Sequence, residues 1–542
     1  MKKTAVTTPA RTRVRFVVCY VLFFLGALLF AASFWCQINF GFVPLDQLIF
    51  TLKVPMDGAN MSLVPDFIIK CVPVSLAVAL LLTLLGVRWT KTEKTVTIWL
   101  FRKPRTLTIF PFTFYRRHMA LLSVAALVGG ICYGSYTLYL PEFIQSQLTR
   151  SNLFETEYVD PTTVKLEFPE RKRNLVYIYL ESMETTYLSE ELGGAQETNL
   201  LPNLTRLAQE NVNFSDTAGL GGAQQLPGTS WTVASMVAQT AGIPLKVPVG
   251  DNDYGKASAL FLPGVTSLGD ILEEQGYNQM LLIGSDANFG GRKQYFTQHG
   301  NYEIFDLYTA RETGKIAQDY KVWWGYEDRK LFEYAKEQVT ALAAQGEPFN
   351  FTMLTVDTHF PSGYPCPLCE HTDDRQYANV ISCSDRLVSD FIEWLQQQDF
   401  YENTTIIFTG DHLSMDSKFF TDIGEYNRTI FNGVIHAAVE PVQAKNRQFS
   451  VMDMFPTTLA SLGVTIEGDR LGLGTNLFSD RETLMESMGE EAFSDELERV
   501  SNYYNNQFLY PDGVDGSAGL PDASSSVSVT ETSTVVSDAV SG

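Results

Sequence analysis

Three side chains that could bind a metal ion directly follow apolar runs typical of buried strands. Glu181 comes at the end of the run 174–180, and Asp411 and His412 follow the run 404–409 after a glycine. Carboxylate oxygens and imidazole nitrogens are ligands that Zn²⁺ and Mn²⁺ accept. Each residue also has a structural alternative, Glu181 at a helix N-terminus and Asp411 in a turn. Together they predict a site for one divalent cation.

Hydroxyl groups lie in the turn 226–232, Leu-Pro-Gly-Thr-Ser-Trp-Thr, which opens an apolar helix predicted over 233–241. Thr229 or Ser230 could simply cap that helix. The position also favours catalysis, because a helix N-terminus and a bound cation both lower the pKa of a hydroxyl and stabilise anions. Thr229 is therefore a candidate nucleophile.

Candidate phosphate-binding residues follow two further apolar runs. Arg292 lies in a Gly-rich turn after 278–284, close to Asn288, and a guanidinium there suits bidentate contact with phosphate. His359 follows the run 349–355, and a proline soon after it could leave the ring in a cleft, where it would bind phosphate or protonate a leaving alkoxide. The alternatives are a surface arginine and a turn histidine.

A sheet must bring these residues together. The apolar runs are rich in Val, Ile, Tyr and Phe, and amphipathic helical patterns separate them. Such alternation predicts an α/β fold with a mostly parallel sheet between helix layers, in which ligands bind beyond the carboxyl ends of the strands. The predicted strands are 174–180, 278–284, 349–355, 404–409 and 432–438, and the predicted helices include 200–210, 265–275, 327–344 and 377–397.

The first third of the chain is apolar and predicts about three transmembrane helices, at 17–35, 67–87 and 119–140. The first is too long for the apolar core of a cleaved signal peptide, and no clear small-residue cleavage site follows it. The N-terminus and the loop 88–117 are rich in Lys and Arg, so the positive-inside rule places both in the cytoplasm and the chain after 140 outside.

These features predict four segments. We expect a membrane domain over 1–144, a connector over 145–173, an extracytoplasmic domain over 174–510, and a disordered Ser/Thr-rich tail over 511–542.

Charge and cysteine content fit an exported domain. The net charge of -22 argues against nucleic acid as a partner. Cys366, Cys369 and Cys383 follow the spans, where disulfides form, and we expect one from Cys383 to Cys366 or Cys369. A zinc site is the alternative, although one Cys-x-x-Cys and a third cysteine lack a clear fourth ligand. The sequence does not indicate an oligomeric state.

The ordered set of motifs resembles the sulfatase and alkaline phosphatase superfamily, in its membrane-bound branch, over about 174–479. That branch contains lipoteichoic acid synthases, phosphoethanolamine transferases and phosphoglycerol transferases. The stretches 228–234 and 242–245 and the Asp-Thr-His at 357–359 are most similar to the phosphoglycerol transferases that modify osmoregulated periplasmic glucans. The stretches 451–459 and 472–478 also resemble late segments of sulfatases.

The resemblance implies a role for each candidate residue. It implies that the metal ligands are Glu181, Thr229, Asp411 and His412, with Mn²⁺ as the favoured ion and Mg²⁺ or Zn²⁺ as alternatives. It implies that Thr229 is the nucleophile, that His359 assists catalysis, and that the donor is bound by Arg292, His359 and Asn288.

Some features of this sequence differ from those of the families that it resembles. Gly290 stands where lipoteichoic acid synthases carry a Trp, and this chain has fewer predicted spans than they do. No Cys/Ser-x-Pro-x-Arg motif occurs at Thr229, so sulfate ester hydrolysis is not expected.

The implied activity is transfer of sn-glycerol 1-phosphate from phosphatidylglycerol to an extracytoplasmic glycan, with periplasmic glucan as the expected acceptor. The implied location is the bacterial inner membrane, with the catalytic domain facing the periplasm. The alternatives are a phosphoethanolamine transferase, a polymerase similar to lipoteichoic acid synthase, and a non-catalytic membrane-anchored protein that binds lipid or glycan.

Overall fold

The computed structural model describes residues 10–41, 45–53, 63–86, 95–100, 103–108, 112–247, 260–421 and 423–511. The predicted tail over 511–542 lies, apart from its first residue, outside the described residues.

Long apolar helices come first in the chain, and shorter helices alternate with strands after them. The helices are α1 (Ala10–Phe40), α2 (Leu45–Lys53), α3 (Leu63–Leu85), α4 (Phe112–Thr137), α5 (Leu140–Leu148), α6 (Leu153–Glu157), α7 (Pro202–Glu210), α8 (Thr232–Ala241), α9 (Leu268–Glu274), α10 (Arg292–Gln298), α11 (Leu307–Glu312), α12 (Asp328–Ala343), α13 (Gln376–Leu395), α14 (Met454–Ser461), α15 (Leu484–Met488) and α16 (Glu490–Glu498). The strands are β1 (Thr95–Leu100), β2 (Lys103–Thr108), β3 (Leu166–Glu167), β4 (Asn174–Leu180), β5 (Gly222–Ala223), β6 (Asn278–Ile283), β7 (Glu303–Phe305), β8 (Phe349–Leu354), β9 (Thr404–Gly410), β10 (Ile430–Ile435), β11 (Thr465–Ile466), β12 (Arg470–Leu471) and β13 (Gly474–Thr475).

Three of the described helices, α1, α3 and α4, are long and apolar enough to cross a membrane. Backbones of α1 and α4 touch, because a Cβ added at Gly26 would lie 2.5 Å from the carbonyl oxygen of Ala126. Small residues allow such close approach between membrane helices. The indole of Trp35 in α1 donates to Asp66 in α3 at 2.8 Å. The three predicted apolar helices are therefore confirmed, although the third ends at Thr137 rather than at residue 140.

A seven-stranded sheet in the order β5-β10-β9-β4-β8-β6-β7 forms the centre of the α/β domain. The neighbours β9-β4-β8-β6-β7 run parallel, whereas β10 is antiparallel to both β9 and β5. The mostly parallel sheet is therefore confirmed. The last predicted strand, 432–438, begins and ends earlier as β10. The short strands β5 and β7 were not predicted.

The central strand β4 explains why helices cover both faces of the sheet. All seven of its residues are buried, and alternate side chains enter opposite cores, as the two-residue period of a strand requires. Leu175, Tyr177 and Tyr179 enter a core that contains α8, α9 and α14. Val176, Ile178 and Leu180 enter the core that contains α7, α12 and α13. All five predicted helices of this domain are present within a few residues.

The predicted connector over 145–173 is folded onto the domain. Phe154 in α6 is buried, with its ring 5.4 Å from that of Tyr504 and 5.8 Å from that of Phe508. Strand β3 pairs with β11. This part of the chain therefore fixes the end of the apolar helices to the α/β domain.

The cysteines differ from expectation. All seven are free thiols, whereas a disulfide from Cys383 was expected. The sulfur of Cys366 lies 3.9 Å from that of Cys383 and 3.7 Å from that of Cys369, and a disulfide requires about 2.05 Å. The three thiols are thus adjacent without a bond, and we call them the thiol cluster.

Candidate active site

Glu181, Asp411 and His412 converge at the carboxyl edge of the sheet. β4 and β9 are parallel neighbours, and their last residues, Leu180 and Gly410, are register partners, so the residues that follow them lie side by side. One ligand atom from each of the three lies within 4.8 Å of the others, and all three side chains are buried. His412 Nε2 is 3.5 Å from Glu181 Oε1 and 3.4 Å from Asp411 Oδ2. We call this group the carboxylate–histidine cluster.

The donor atoms of this cluster fit a divalent cation. Asp411 Oδ2 is buried and has no hydrogen-bond partner among the described residues, which is costly unless a ligand occupies that position. His412 Nδ1 lies 2.9 Å from the carbonyl oxygen of Leu413. A proton on Nδ1 would donate to that carbonyl and leave the Nε2 lone pair for a metal, as in many metal-binding histidines.

The backbone around Glu181 is held in a special conformation. Ser182 has a positive φ of 56°, which is uncommon for a residue other than glycine and recurs at functional sites. Its N–H donates to Asp411 Oδ1 at 2.7 Å, and its hydroxyl donates to Glu181 Oε1 at 2.8 Å. Ser182 therefore orients both carboxylates of the cluster.

Burial and mutual repulsion set the charge of the cluster without a cation. Burial, and then the Glu181 carboxylate, raise the pKa of Asp411 to about 7. Burial acts to lower the pKa of His412, but the carboxylates of Asp411 and Glu181 outweigh it and raise that pKa above its ordinary value. Without a cation, Asp411 and His412 therefore retain protons to a higher pH than usual, and a bound cation would displace those protons.

Within the turn 226–232, the hydroxyl that contacts this cluster is that of Thr232, whereas Thr229 was the predicted nucleophile. Thr232 is the first residue of α8, and its Oγ1 lies 3.4 Å from His412 Nε2. Thr229 is fully buried, and its hydroxyl donates to the carbonyl of Leu226 while accepting the N–H of the same residue. Thr229 therefore closes the turn before α8, and its hydroxyl is engaged there rather than at the cluster.

Arg292 lies close enough to the carboxylate–histidine cluster to interact with it electrostatically. It is the first residue of α10, and it donates from Nε to the carbonyl of Phe289 at 2.9 Å and from Nη2 to that of Asp286 at 2.8 Å. Burial lowers the pKa of Arg292 to about 10, although carboxylates including Glu181 and Asp411 counteract it. The guanidinium is therefore charged at neutral pH, and these bonds leave Nη1 for a ligand.

His359 is also near the cluster. Its Nδ1 lies 2.7 Å from the carbonyl oxygen of Phe360, which places the proton on Nδ1 and leaves Nε2 as an acceptor. Burial lowers the pKa of His359 to about 4, with a smaller contribution from His412. The ring of Trp324 lies 4.6 Å from that of His359 and 5.5 Å from that of Phe289. The imidazole is therefore neutral at pH 7, and its Nε2 lone pair can accept a proton from a neighbouring hydroxyl.

The hydrogen bonds of Asn288 stay within its own turn. Its backbone N–H and its side-chain Nδ2 both donate to Asp286 Oδ1, at 2.9 and 3.0 Å. The Asn288 amide therefore fixes the turn that carries Arg292.

The end of α1 packs against the loops that carry site residues. The ring of Phe40 at the end of α1 lies 5.3 Å from that of Phe360. The hydroxyl of Ser417 donates to the carbonyl of Ile38 at 3.0 Å. The carboxyl edge of the sheet therefore lies next to the end of α1.

Comparison with known families gives a direct match. The sulfatase family model matches residues 173–464, which is more than half of the chain. The chain belongs to the sulfatase family. All the candidate residues described above, from Glu181 to His412, lie inside the sulfatase match.

Two curated relatives carry the same name. Phosphoglycerol transferase I of Xanthomonas campestris pv. campestris (strain B100) is 30% identical over 371 residues, covering 65% of this chain and 51% of the relative. Phosphoglycerol transferase I of Salmonella choleraesuis (strain SC-B67) is 29% identical over 447 residues, covering 80% of this chain and 53% of the relative. The chain spans about half the length of the curated relatives it matches.

Among solved structures, the lipooligosaccharide phosphoethanolamine transferase A of Neisseria meningitidis superposes with a TM-score of 0.46 at 14% identity. The match covers 83% of this chain and 86% of that protein.

The sequence did not single out Thr232 as the hydroxyl of this turn that contacts His412. The turn 226–232 offers three hydroxyls, and position within the turn does not reveal which one faces β9. One signal was available, because Thr232 directly precedes the predicted helix 233–241, where a hydroxyl lies closest to the positive end of the helix dipole.

Proposed function

We propose that this protein transfers a phosphoglycerol group from phosphatidylglycerol to a glycan acceptor outside the bacterial inner membrane. The observation that carries the proposal is the Thr232 hydroxyl, at the N-terminus of α8 and 3.4 Å from His412 Nε2 in the carboxylate–histidine cluster. The name of the curated relatives supports phosphoglycerol as the transferred group. The expected acceptor is a periplasmic glucan.

The proposed arrangement places the catalytic domain outside the membrane. The basic N-terminus and the basic loop 88–117 favour a cytoplasmic position for both. With three crossings by α1, α3 and α4, the α/β domain lies on the opposite side. The contacts of Phe40 with Phe360 and of Ile38 with Ser417, both close in sequence to site residues, support access to a lipid donor that stays in the bilayer.

The ligand set supports one divalent cation, held by Glu181, Asp411 and His412, with Mn²⁺ preferred and Mg²⁺ or Zn²⁺ as alternatives. Such an ion supplies positive charge that lowers the pKa of a neighbouring hydroxyl and neutralises phosphate oxygens.

The chain's own residues complete the first half of the reaction. Thr232 Oγ1 attacks phosphorus, a bond forms between them, and the bond from phosphorus to the diacylglycerol oxygen breaks. Diacylglycerol leaves with the proton that Thr232 Oγ1 loses, and phosphoglycerol stays on Thr232. Arg292 binds the phosphate oxygens, whose charge shifts in the transition state.

The second half returns the enzyme to its starting state. An acceptor hydroxyl attacks the same phosphorus, and the bond to Thr232 Oγ1 breaks. His359 accepts the proton of that hydroxyl at Nε2, because its Nδ1 proton is held by the carbonyl of Phe360, and that proton then passes to Thr232 Oγ1. A two-step reaction of this kind needs only one site.

Purified protein in nanodiscs with head-group-labelled lipids tests the proposal. We expect release of diacylglycerol from phosphatidylglycerol, transfer of labelled glycerol phosphate to glucan, and loss of both on chelation. Preferential release from phosphatidylethanolamine would favour the phosphoethanolamine transferase instead. Binding of lipid without release of diacylglycerol by the metal-loaded protein would contradict any transferase.

A further inference from the structure

A cavity of about 620 Å³ lies between the ends of the apolar helices and the α/β domain. One wall comes from the membrane side, with Phe40 at the end of α1, Leu45 in α2 and Phe143 in α5. The other wall includes Ser230 and Leu413. Ser230 is two residues before Thr232, and Leu413 directly follows His412, so the cavity adjoins the carboxylate–histidine cluster.

We propose that this cavity binds the glycerol-ester region and the first acyl carbons of the donor phospholipid. The inference rests on the proposed function and adds the place where the leaving half of the donor is held. A volume of this size is within the roughly 300–1,000 Å³ typical of small-molecule sites, and it suffices for that part of a lipid but not for whole acyl chains. The remaining acyl carbons would extend toward the bilayer.

The polar groups of the cavity suit ester groups rather than a free anion. Three acidic side chains line it together with three basic ones, which are Asp46, Glu142, Glu498, Lys246, Arg428 and Arg499. Arg428 already pairs with both oxygens of Glu184, at 2.5 and 2.7 Å. The lining is therefore close to neutral, and the phosphate belongs at the carboxylate–histidine cluster beside Arg292.

Ser230 provides a second pointer to a ligand. Its hydroxyl oxygen is buried and makes no hydrogen bond within the part of the chain that the structure describes. An unpaired buried hydroxyl costs free energy, and an ester carbonyl of the lipid would accept its proton. Ser230 lines the cavity next to α8, where the ester group next to the scissile phosphate would lie.

The apolar residues that line the cavity also favour a lipid over a glycan as its ligand. Leu138 and Phe143 on one side and Leu226 and Val247 on the other line the same space. A glycan acceptor presents hydroxyls throughout. These hydroxyls would lack hydrogen-bond partners against the apolar side chains. The acyl carbons of a lipid match it, because burying apolar surface from both partners is favourable.

Photo-crosslinking of the full chain in nanodiscs tests the inference directly. The probe is phosphatidylglycerol with a diazirine near the carboxyl end of one acyl chain, and the adducts are mapped by peptide mass spectrometry. We expect adducts in the peptides that cover 138–147 and 494–505. Adducts confined to the outward surfaces of α3 and α4 would overturn the inference.

A matched pair of variants on α5 sharpens the test. Gln147 lines the cavity, whereas Gln145 is exposed and does not. We expect Gln147→Trp to fill the space, to reduce the cavity adducts at least about fivefold, and to raise KM for phosphatidylglycerol with kcat little changed. Gln145→Trp should change neither the adducts nor KM. Equal labelling in both variants would contradict the inference.

The two proposals fail in different ways. Diacylglycerol release without cavity adducts would overturn only the lipid-binding cavity. Cavity adducts without diacylglycerol release by the metal-loaded wild type would support the cavity and overturn the transferase.

Discussion

The carboxylate–histidine cluster and the thiol cluster satisfy the same simple criterion, since each brings three possible ligand atoms within 4.8 Å of one another. Their surroundings differ. The first lies at the ends of two neighbouring parallel strands, with the Thr232 hydroxyl beside it and a buried oxygen of Asp411 unpaired. The thiol cluster joins a loop to α13, and the guanidinium of Arg386 lies 4.0 Å from the sulfur of Cys383.

The comparison shows that converging ligands are not enough to identify an active site. The position at the carboxyl edge of a parallel sheet, next to a hydroxyl at a helix N-terminus, gives the first cluster the parts for phosphoryl transfer. The thiol cluster has no such partner among the described residues, and we expect it to stabilise the fold.

The largest expected effect comes from Thr232→Ala. We expect transfer to fall at least about 1,000-fold, as for loss of a covalent nucleophile, with the melting temperature little changed because Thr232 is only half-buried. Thr229→Val is the control. It should lower stability by about 1–3 kcal/mol, because it leaves the buried N–H of Leu226 unpaired, while the folded protein keeps most of its activity. The reverse pattern would restore Thr229 as the nucleophile.

The next largest effect is expected from substitution of a proposed metal ligand. Asp411→Asn should lower bound Mn²⁺ and reduce transfer about 100-fold or more, equivalent to roughly 2.7 kcal/mol. Metal content by mass spectrometry and the rate of diacylglycerol release are the two measurements. Cys369→Ser, from the thiol cluster, should leave both unchanged. Loss of Mn²⁺ in the cysteine variant and not in Asp411→Asn would exchange the roles of the clusters.

The protonation of His359 as a function of pH provides the next test. Because burial lowers the pKa of His359 to about 4, its ring is neutral above about pH 5 and gains a proton only as the pH falls through 4. We therefore expect the imidazole NMR signals that His359→Gln removes to show no titration between pH 5.5 and 8. The same variant should slow transfer roughly 100-fold, the usual range for a general base. A midpoint near pH 6.5 would contradict the buried neutral base.

The smallest effect is expected in the thiol cluster itself. Cys366 is buried in the core that contains α13, and Cys366→Ser would place a hydroxyl among apolar neighbours. We expect the melting temperature to fall by a few degrees and kcat to stay within about threefold of the wild type. A large loss of kcat in a folded variant would show that the thiols serve the reaction.

Much of the fold follows from sequence pattern. The five strongly apolar strands and the amphipathic helices were predictable because burial on both faces of a parallel sheet leaves continuous apolar runs. Strands β5 and β7 were missed because two or three residues are too few to show a period. The early start of β10 depends on its pairing with β9 and β5, which is a long-range contact.

The candidate site was predictable only in part. Glu181, Asp411 and His412 could be found because each follows a strand, and strand ends share one edge. The choice between Thr229 and Thr232 depends on how α8 packs beside the loop after β9, which local sequence does not encode. The disulfide expectation used compartment alone, whereas the positions of Cys366, Cys369 and Cys383 are set by how α13 docks on the sheet.

The central claim is that Thr232 carries the phosphoryl group during the reaction. Rapid acid quench of the metal-loaded enzyme with phosphatidylglycerol and no acceptor, followed by fragmentation of the peptide over 226–247, tests it. We expect a mass increase of one phosphoglyceryl group on Thr232. The same group on Thr229 or Ser230, or diacylglycerol release without any adduct, would contradict it.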